Sequence, residues 1–485
     1  MAAIITEKFR LHNAKEFKQS ATETGNAMYM FIGRPTAWSD DNSPPTPVDS
    51  LNDEYDAYAN MTALKKVSST DVSHAIIRRD WTSGTKYDEY RHNYKSGNTS
   101  TSGATTLWAS TFYVVTSDYN VYKCISNNGG ADSTVMPVGT TTSVTTLSDG
   151  YKWKFMYSIS ASDVIKFVTS DFIPVKTLGR QYAVEGDVGA LGARATDDNS
   201  AQYHVEDEAV DGAIYHVRVT AGGSSYGTNS TTRTVAVSGD GALAVMTFTV
   251  ASGAITAASI TGAGNGYSVA NIDNALVQAA TSSSGTGATF DVIVSPKNGH
   301  GADPVEELGG NYVIVNSRLE YAEGSGDFPT DNDFRQIGLI VNPTNIGGHT
   351  LSSAVTLSAL NRFTMASGAT MPNVDDYIAN AGTITTGTAV GKVVSVDATN
   401  RHIYYLPDVD SVGNYGAWAN SNPVHSGTAR GSLGSSLGNL VGSGAVSSAY
   451  PEVRRNSGDI VYLENRGAVA RAADQIEDIK LIIEM

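Results

Sequence analysis

Met28-Tyr29-Met30-Phe31-Ile32-Gly33 is a stretch without a charged side chain, and its pattern is repeated along the chain. An apolar run of this length that ends in glycine predicts a buried β-strand followed by a turn. Comparable runs occupy residues 112–116, 121–125, 153–159, 312–315, 336–341, 459–463 and 476–483. We therefore expect a mainly β fold, with a multi-layer β-sandwich core, a few short helices and inserted all-β modules.

The composition points in the same direction. Of the 485 residues, 48 are glycine and only 17% are charged, which suits sheets and turns better than helical bundles. Two helices are still predicted, one over residues 8–19 and one that begins at Asp49 or Ser50, because these residue types cap helices. The second helix is expected to bury one apolar face, made of Leu51, Tyr55, Tyr58, Met61 and Leu64.

The net charge excludes some partners. It is −16, and no basic face stands out, so binding to nucleic acid or to an anionic membrane is disfavoured. No apolar run of about 18 residues is present and the first residues do not resemble a signal peptide, so we expect no membrane span and no export. The single cysteine, Cys124, lies in an apolar run, which predicts a buried thiol in a protein made in a reducing cytoplasm.

Two segments rich in Gly, Ser and Thr interrupt the chain, and we divide it into four domains. These are a core of residues 1–90, 306–345 and 450–485, a second β domain of 91–185, and two inserts, 186–305 and 346–449. In the second insert, residues 388–396 and 402–406 are expected to form a hairpin, and residues 426–448 a long exposed loop.

The first insert contains an internal duplication. Val219-Thr220-Ala221-Gly222-Gly223-Ser224-Ser225-Tyr226 recurs 41 residues later as Ile260-Thr261-Gly262-Ala263-Gly264-Asn265-Gly266-Tyr267. A Gly-Ala pair before a strand follows each copy, at 241–242 and at 287–288. We expect the glycines to allow tight turns that the tyrosines close against a neighbouring strand.

Motifs for catalysis and metal binding are weak, so no catalytic, metal or cofactor-binding residue is predicted. Gly434-Ser435-Ser436-Leu437-Gly438 matches a nucleophile motif but lacks the strand before it and the helix after it. Residues 387–393 are one residue short of a phosphate loop, and residues 408–413 place Val412 where a calcium ligand is needed.

Residues 185–211 form an acidic segment in which only Arg194 opposes the carboxylates. A solvated loop is predicted, while calcium binding and a carboxylate pair for glycoside hydrolysis remain alternatives. The acidic residues are Glu185, Asp187, Asp197, Asp198, Glu206, Asp207, Glu208 and Asp211.

Two polar clusters follow apolar runs and are the candidate interface residues. They are Arg78, Arg79, Asp80 and Trp81 in the first cluster and Glu464, Asn465 and Arg466 in the second. Arginine pairs bidentately with carboxylates, and Arg and Trp are frequent interface anchors. Each cluster is thus either a structural ion pair at a domain seam or a protein–protein contact.

These clusters also belong to a set of segments that resembles the small dimeric baseplate wedge subunit of contractile-tailed, T-even-like phages. The similar segments, in order, are 4–10, 31–34 with 38–39, 47–50, 77–81, 149–153, 172–175, 334–337 with 342–343, and 457–466 continuing through 473–477. The resemblance implies a mostly β homodimer in the virion tail baseplate, contacts with other wedge proteins, no cofactor and no catalysis. It also implies a role in passing the host-contact signal to sheath contraction. The inserts at 186–305 and 346–449 have no counterpart in it and are similar to decorations on phage structural proteins.

A structural assembly role is therefore the favoured function. The alternative is a tail-associated adhesin or glycan-binding protein, in which exposed Tyr226, Tyr267 and Trp418 of the inserts would stack on host-surface glycans. A glycan-cleaving enzyme that uses Glu206 and Asp207 is the third possibility.

Overall fold

The mainly β fold is confirmed by a computed structural model, which describes residues 4–23, 25–178, 200–227, 232–320, 328–348, 350–441, 447, 449–472 and 475–485. Of these residues, 40% lie in strands and 13% in helices. The strands form several antiparallel sheets and the helices are few and short, which fits the expected sandwich-rich class. The predicted acidic residues before position 200 and Arg194 lie outside the described residues.

The elements are numbered in chain order. The helices are α1 (Glu7–Thr22), α2 (Leu51–Asn60), α3 (Ala161–Phe167), α4 (Ala201–Asp207), α5 (Asn274–Thr281) and α6 (Pro304–Leu308). The first thirteen strands are β1 (Met28–Gly33), β2 (Met61–Lys66), β3 (Val72–Ile77), β4 (Tyr113–Val115), β5 (Asn120–Ser126), β6 (Thr145–Thr146), β7 (Lys152–Ser158), β8 (Phe172–Val175), β9 (Ile214–Ser224), β10 (Arg233–Ala236), β11 (Ser238–Gly239), β12 (Ala242–Ala251) and β13 (Ala254–Asn265). They are followed by β14 (Ala270–Asn271), β15 (Thr286–Val294), β16 (Tyr312–Leu319), β17 (Asn332–Val341), β18 (Thr356–Ser358), β19 (Asn361–Thr364), β20 (Tyr377–Ala379), β21 (Val390–Asp397), β22 (His402–Asp408), β23 (Val424–Gly427), β24 (Ser436–Gly438), β25 (Asp459–Arg471) and β26 (Glu477–Glu484).

The chain divides into two compact units. Unit 1 comprises Met1–Lys15, Ser73–Ile314 and Ile482–Met485, and unit 2 comprises Glu16–Val72 and Val315–Leu481. The chain passes from one unit to the other within α1, β3, β16 and β26. The four domains drawn from the sequence remain a prediction.

In unit 1, a sheet with the order β4-β5-β7-β6 is buried on both faces. Cys124 of β5 and Trp153 of β7 join an apolar cluster on one face, while Val121 and Met156 join the cluster on the other. Because successive side chains of a strand point to opposite faces, burial of both faces explains the apolar runs that predicted these strands. It also confirms that Cys124 is buried, and burial raises the pKa of its thiol well above the usual value.

The first insert lies in unit 1 and is built from two long antiparallel strand pairs. β9 pairs with β15, and β12 pairs with β13, while β10 extends the second pair on its other edge. The apolar side chains of both pairs and of α5 share one core, which contains Met246, Phe248 and Val277.

Each copy of the duplicated motif closes its turn with a buried tyrosine. The amide of Ala244 donates to the Tyr267 hydroxyl at 3.4 Å, and the amide of Ala288 donates to the Tyr226 hydroxyl at 3.2 Å. Because Tyr226 is 1% exposed and Tyr267 4%, the expectation that they are exposed and stack on sugars is wrong. The rings are used instead to seal the turns.

One of the glycines noted in the two Gly-Ala pairs, Gly241, lies against a tyrosine ring, and the other ring lies against Gly285. A Cβ on Gly241 would come within 2.5 Å of the Tyr267 ring, and a Cβ on Gly285 within 2.2 Å of the Tyr226 ring. The structural equivalent of Gly241 is therefore Gly285 and not Gly287. Gly241 directly precedes β12 and Gly285 directly precedes β15. At each glycine, the tyrosine ring occupies the space where a side chain would lie.

In unit 2, β1 lies at the centre of a sheet with the order β18-β2-β1-β17-β25. All six of its residues are buried, as predicted. Phe31 lies opposite Gly338 of β17, and a Cβ at Gly338 would come within 2.3 Å of the Phe31 ring. The phenyl ring thus occupies the place of the missing side chain, which fixes glycine at this position.

The start of α2 is as predicted, but its buried face is not. The Ser50 Oγ accepts a hydrogen bond from the Asp53 amide at 3.2 Å, which caps the helix. The helix ends at Asn60, so Met61 and Leu64 belong to β2 and are buried in the sheet. Of the expected face only Tyr58 is buried within the helix, whereas Leu51 is 69% exposed and Tyr55 56%.

The second insert, also in unit 2, forms a sheet with the order β19-β22-β21-β20-β23-β24. The predicted hairpin is present as β21 paired with β22, and Phe363, Val393 and Tyr405 lie in its core. The expectation of one long exposed loop over residues 426–448 is wrong, because this stretch contains β24 and the buried Leu440.

The ring-filled glycines of the duplicated module can be tested directly. We expect Gly241→Ala and Gly285→Ala each to destabilise the protein by about 1–3 kcal/mol, because the added methyl group overlaps a buried tyrosine ring. Urea unfolding followed by circular dichroism would measure this. The control is Gly431→Ala, which has open space around its Cβ and should leave the midpoint unchanged. Equal midpoints for all three variants would contradict the assigned packing.

Candidate functional site

The first predicted interface cluster is hydrogen-bonded within unit 1. The Arg78 Nε lies 3.1 and 3.0 Å from the two Asp80 carboxylate oxygens. The guanidinium carbon of Arg79 lies 4.8 Å from the centre of the Tyr113 ring. The Trp81 indole N–H donates to the Ser133 Oγ at 3.1 Å. The Asp80 side chain nevertheless stays 56% exposed, so the cluster keeps an accessible carboxylate.

The second cluster is hydrogen-bonded within unit 2, on β25. The Arg466 Nε lies 3.5 Å from the Glu464 carboxylate, and both side chains are partly exposed. The Asn465 amide receives a hydrogen bond from Gln336 at 2.9 Å and donates one to the Pro45 carbonyl, also at 2.9 Å. Ion pairs therefore form inside each cluster, between Arg78 and Asp80 and between Glu464 and Arg466. A contact with another protein remains a prediction for both.

A third polar cluster, centred on Glu89, was not found from the sequence. The Glu89 side chain is 2% exposed, and its carboxylate lies 2.8 Å from Arg91 Nη2, 3.2 Å from His216 Nε2 and 3.4 Å from Arg218 Nε. Burial alone would raise the pKa of Glu89, but His216 and Arg91 outweigh it and lower the pKa to about 2. The carboxylate is thus ionised and joins residues 89–91 to β9 of the first insert.

The same junction continues to β15. Asp291 accepts a hydrogen bond from Asn93 at 2.8 Å and lies 3.4 Å from Arg218 Nη1. One residue away from Asn93, the His92 Nδ1 accepts the Val294 amide at 3.3 Å. The segment around residues 89–93 therefore holds both strands of one insert sheet through side-chain hydrogen bonds and ion pairs.

A buried ion pair lies beneath the sheet that contains β5 and β7. Lys123 and Lys154 are paired in register on the same face, and Lys123 donates to the buried Glu307 carboxylate. Burial raises the pKa of Glu307 and lowers that of Lys123, while it lowers the pKa of Lys154 to about 8. The only sign of this ion pair in the sequence is a lysine in each of two otherwise apolar strands. Glu307, the partner of Lys123, lies 184 residues further along the chain and has no such local sign.

Unit 2 has a comparable anchor at Arg335. This guanidinium is 6% exposed, holds Asp41 with Nε–O and Nη2–O distances of 2.9–3.0 Å, and donates to the Pro35 carbonyl at 2.7 Å. The loop so held carries Trp38, whose indole N–H donates to the Arg466 carbonyl at 2.8 Å. Arg335, which lies in one of the segments that resemble the wedge subunit, therefore holds in place the loop that contacts the second predicted cluster.

The weak motifs serve structural roles where the structure describes them. Lys392 of the phosphate-loop-like segment lies 3.2 Å from Asp375. Asp410 of the calcium-loop-like segment accepts the amides of Gly387, Val412 and Asn414. Ser436 opens strand β24. Among the described residues, no group of three or more His, Cys, Asp or Glu side chains is placed to hold a metal ion.

The described part of the acidic segment is not a solvated loop throughout. Glu206 and Asp207 lie on α4, and Glu206 is fully buried. Its carboxylate accepts hydrogen bonds from Gln202 Nε2 at 2.8 Å and from the Leu178 amide at 3.0 Å. Glu206 thus links α4 to Leu178, which lies at the end of the described range 25–178. In the part of the chain that the structure describes, no helix is long and apolar enough to cross a membrane.

Comparison with protein families relates the N-terminal part of the chain to a structural protein of the bacteriophage tail. Residues 3–147 match the family model described as Phage-Gp8: Bacteriophage T4, Gp8. The match supports a similarity of this part of the chain to a baseplate wedge protein. The matched region is less than a third of the chain and ends before both predicted inserts. No curated protein matches the chain.

The Glu89 junction gives a pH-dependent prediction. We expect Glu89→Gln to destabilise the protein by about 3 kcal/mol at pH 7, because the buried Arg91 and the partly exposed Arg218 lose their counter-charge. The ionised carboxylate stabilises the fold above its usual pKa of 4.5, and this contribution is lost as the pH falls towards its folded pKa of about 2.

Urea unfolding at several pH values between 7 and 3 would measure the difference. The gap between the wild type and Glu89→Gln should narrow as the pH falls. Glu320→Gln, at a side chain 53% exposed, should match the wild type and serves as the control. A gap that stays constant over this range would contradict an ionised, paired Glu89.

Proposed function

We propose that this chain acts as a non-enzymatic structural subunit of the baseplate wedge in a contractile tail, where it binds other wedge proteins. The single observation that carries the proposal is the family match over residues 3–147. The polar clusters support it, because their arginines are already oriented by internal partners and keep exposed surface. Pre-oriented arginines lose less conformational entropy when they bind a partner.

We further propose that the chain forms a homodimer and that the two polar clusters contribute to contacts with partner chains. Asp80 and Arg466 are the accessible charges of the clusters, 56% and 45% exposed. The exposed Leu51 and Tyr55 of α2 form an apolar pair one helical turn apart, which supports α2 as a further contact surface. An accessory glycan-binding role of the second insert is the second candidate function, and it is favoured by an exposed aromatic cleft in that insert.

The wedge role predicts an assembly defect. A phage with a nonsense codon in the gene for this chain should produce no complete baseplates, because a wedge subunit is missing. Electron microscopy of the lysate would show this, and a plasmid that supplies the full chain should restore complete tails. Normal tails without the chain would overturn the proposed function.

The dimer is tested by light scattering on a sizing column. We expect a solution mass of twice the chain mass of 51.0 kDa. A mass of three chains would instead favour a fibre or receptor-binding protein, and a single-chain mass would refute the homodimer. Leu51→Ser with Tyr55→Ser is the informative variant, because it changes the exposed face of α2 while the buried Tyr58 is retained.

A further inference from the structure

The second insert contributes most of an open cleft in unit 2. The cleft has a volume of about 480 Å³, within the range of small-molecule sites. Its lining includes Tyr405, Pro407, Asp408, Tyr415, Trp418 and Arg455. Aromatic rings and a few polar groups thus converge on one concave surface, which lies outside the residues that match the wedge family.

The floor of the cleft is made of aromatic rings that pack against one another. The Trp418 ring centre lies 4.8 Å from that of Phe363 and 5.4 Å from that of Tyr405, and Tyr405 is 1% exposed. These contacts hold the half-buried indole in one orientation before any ligand arrives, which lowers the entropy cost of binding.

One wall of the cleft is an exposed tyrosine. Tyr415 is 59% exposed, although tyrosine is usually well covered by its surroundings. The Arg455 Nη1 donates to its hydroxyl at 3.3 Å, and the guanidinium carbon lies 5.7 Å from the ring centre. Arg455 therefore fixes the ring while one large aromatic surface remains open to solvent.

The charges around the cleft indicate a neutral ligand. Asp408 is paired with Arg430 at 2.7 Å, so its carboxylate is already compensated. Arg455 is engaged with the Tyr415 hydroxyl and is the remaining charged group of the lining. A polyanion would require several free cations, and a cation would require a free carboxylate. Flat aromatic surface with a rim of amide, hydroxyl and guanidinium groups suits a ring that has an apolar face and a hydroxylated edge.

We propose that this cleft binds a neutral oligosaccharide, with one pyranose ring stacked on Tyr415 and its hydroxyl groups hydrogen-bonded to Arg455 and Asn361. The inference rests on the accessory glycan-binding role and adds its site and ligand class. It does not depend on the wedge assembly role. The buried Tyr226 and Tyr267 of the first insert take no part in it.

The experiment uses the full-length chain. An array of neutral and charged oligosaccharides identifies binders, and isothermal titration with the best neutral binder gives its affinity. We expect binding by the wild type and at least tenfold weaker binding by Tyr415→Ala with an unchanged melting temperature. Phe9→Ala, at an aromatic ring that is 53% exposed and outside the cleft, is the matched control and should bind as the wild type does.

Several outcomes would overturn the proposal. They are the absence of any neutral binder, a preference for charged glycans, and full binding by Tyr415→Ala. If the wild type binds no glycan but captures a baseplate protein in a pull-down, and Tyr415→Ala loses this capture, the cleft would be assigned to a protein partner instead. Phage complemented with Tyr415→Ala should still assemble complete tails. The glycan measurement therefore tests the cleft, and the assembly of tails tests the wedge role, so that failure of one proposal is distinguished from failure of the other.

Discussion

The structure depends on pairing the charges that it buries. A buried carboxylate or guanidinium costs several kcal/mol unless a partner compensates it, so each such group fixes the position of the segments that meet there. Glu89 fixes β9 of the first insert against residues 89–91, and Arg335 fixes the loop that contains Asp41. With only 17% of its residues charged, the chain concentrates several of them where segments distant in sequence must join.

Between these anchors, the sheets are packed by size complementarity of aromatic rings and glycines. Phe31 fills the space above Gly338 in unit 2, and Tyr267 and Tyr226 fill the spaces above Gly241 and Gly285 in the duplicated module. A strand glycine normally weakens a sheet because it buries no side chain. Here a neighbouring ring covers the backbone instead, so a glycine-rich sequence still builds dense cores. The same solution appears in both copies of the duplication, which explains why glycine and tyrosine recur together.

The proposed function rests on segments whose order along the chain resembles a baseplate wedge subunit, and the family match over residues 3–147 agrees with that resemblance. The polar groups of the two predicted clusters are already hydrogen-bonded within their own units, and whether they also contact partners remains a prediction. The groups that organise the interior, Glu89 and the pair of Lys123 with Glu307, were not predicted. His216, Arg218 and Glu307 are distant in sequence from the residues they pair with, and a single charged residue carries no local sign of where such a partner lies.

The sequence by itself determined what depends on neighbouring residues. The β class, the position of β1, the Ser50 cap of α2 and the β21–β22 hairpin all follow from apolar runs, capping chemistry or turn residues within a few positions. Tertiary structure decided which apolar side chains are covered. Leu51 and Tyr55 lie on an exposed face of α2, since the helix ends at Asn60 and Met61 and Leu64 are part of β2. Tyr226 and Tyr267 are buried because each ring packs against a glycine that is distant in sequence. Burial is a property of the surfaces that meet in three dimensions, and residue type alone does not specify those meetings.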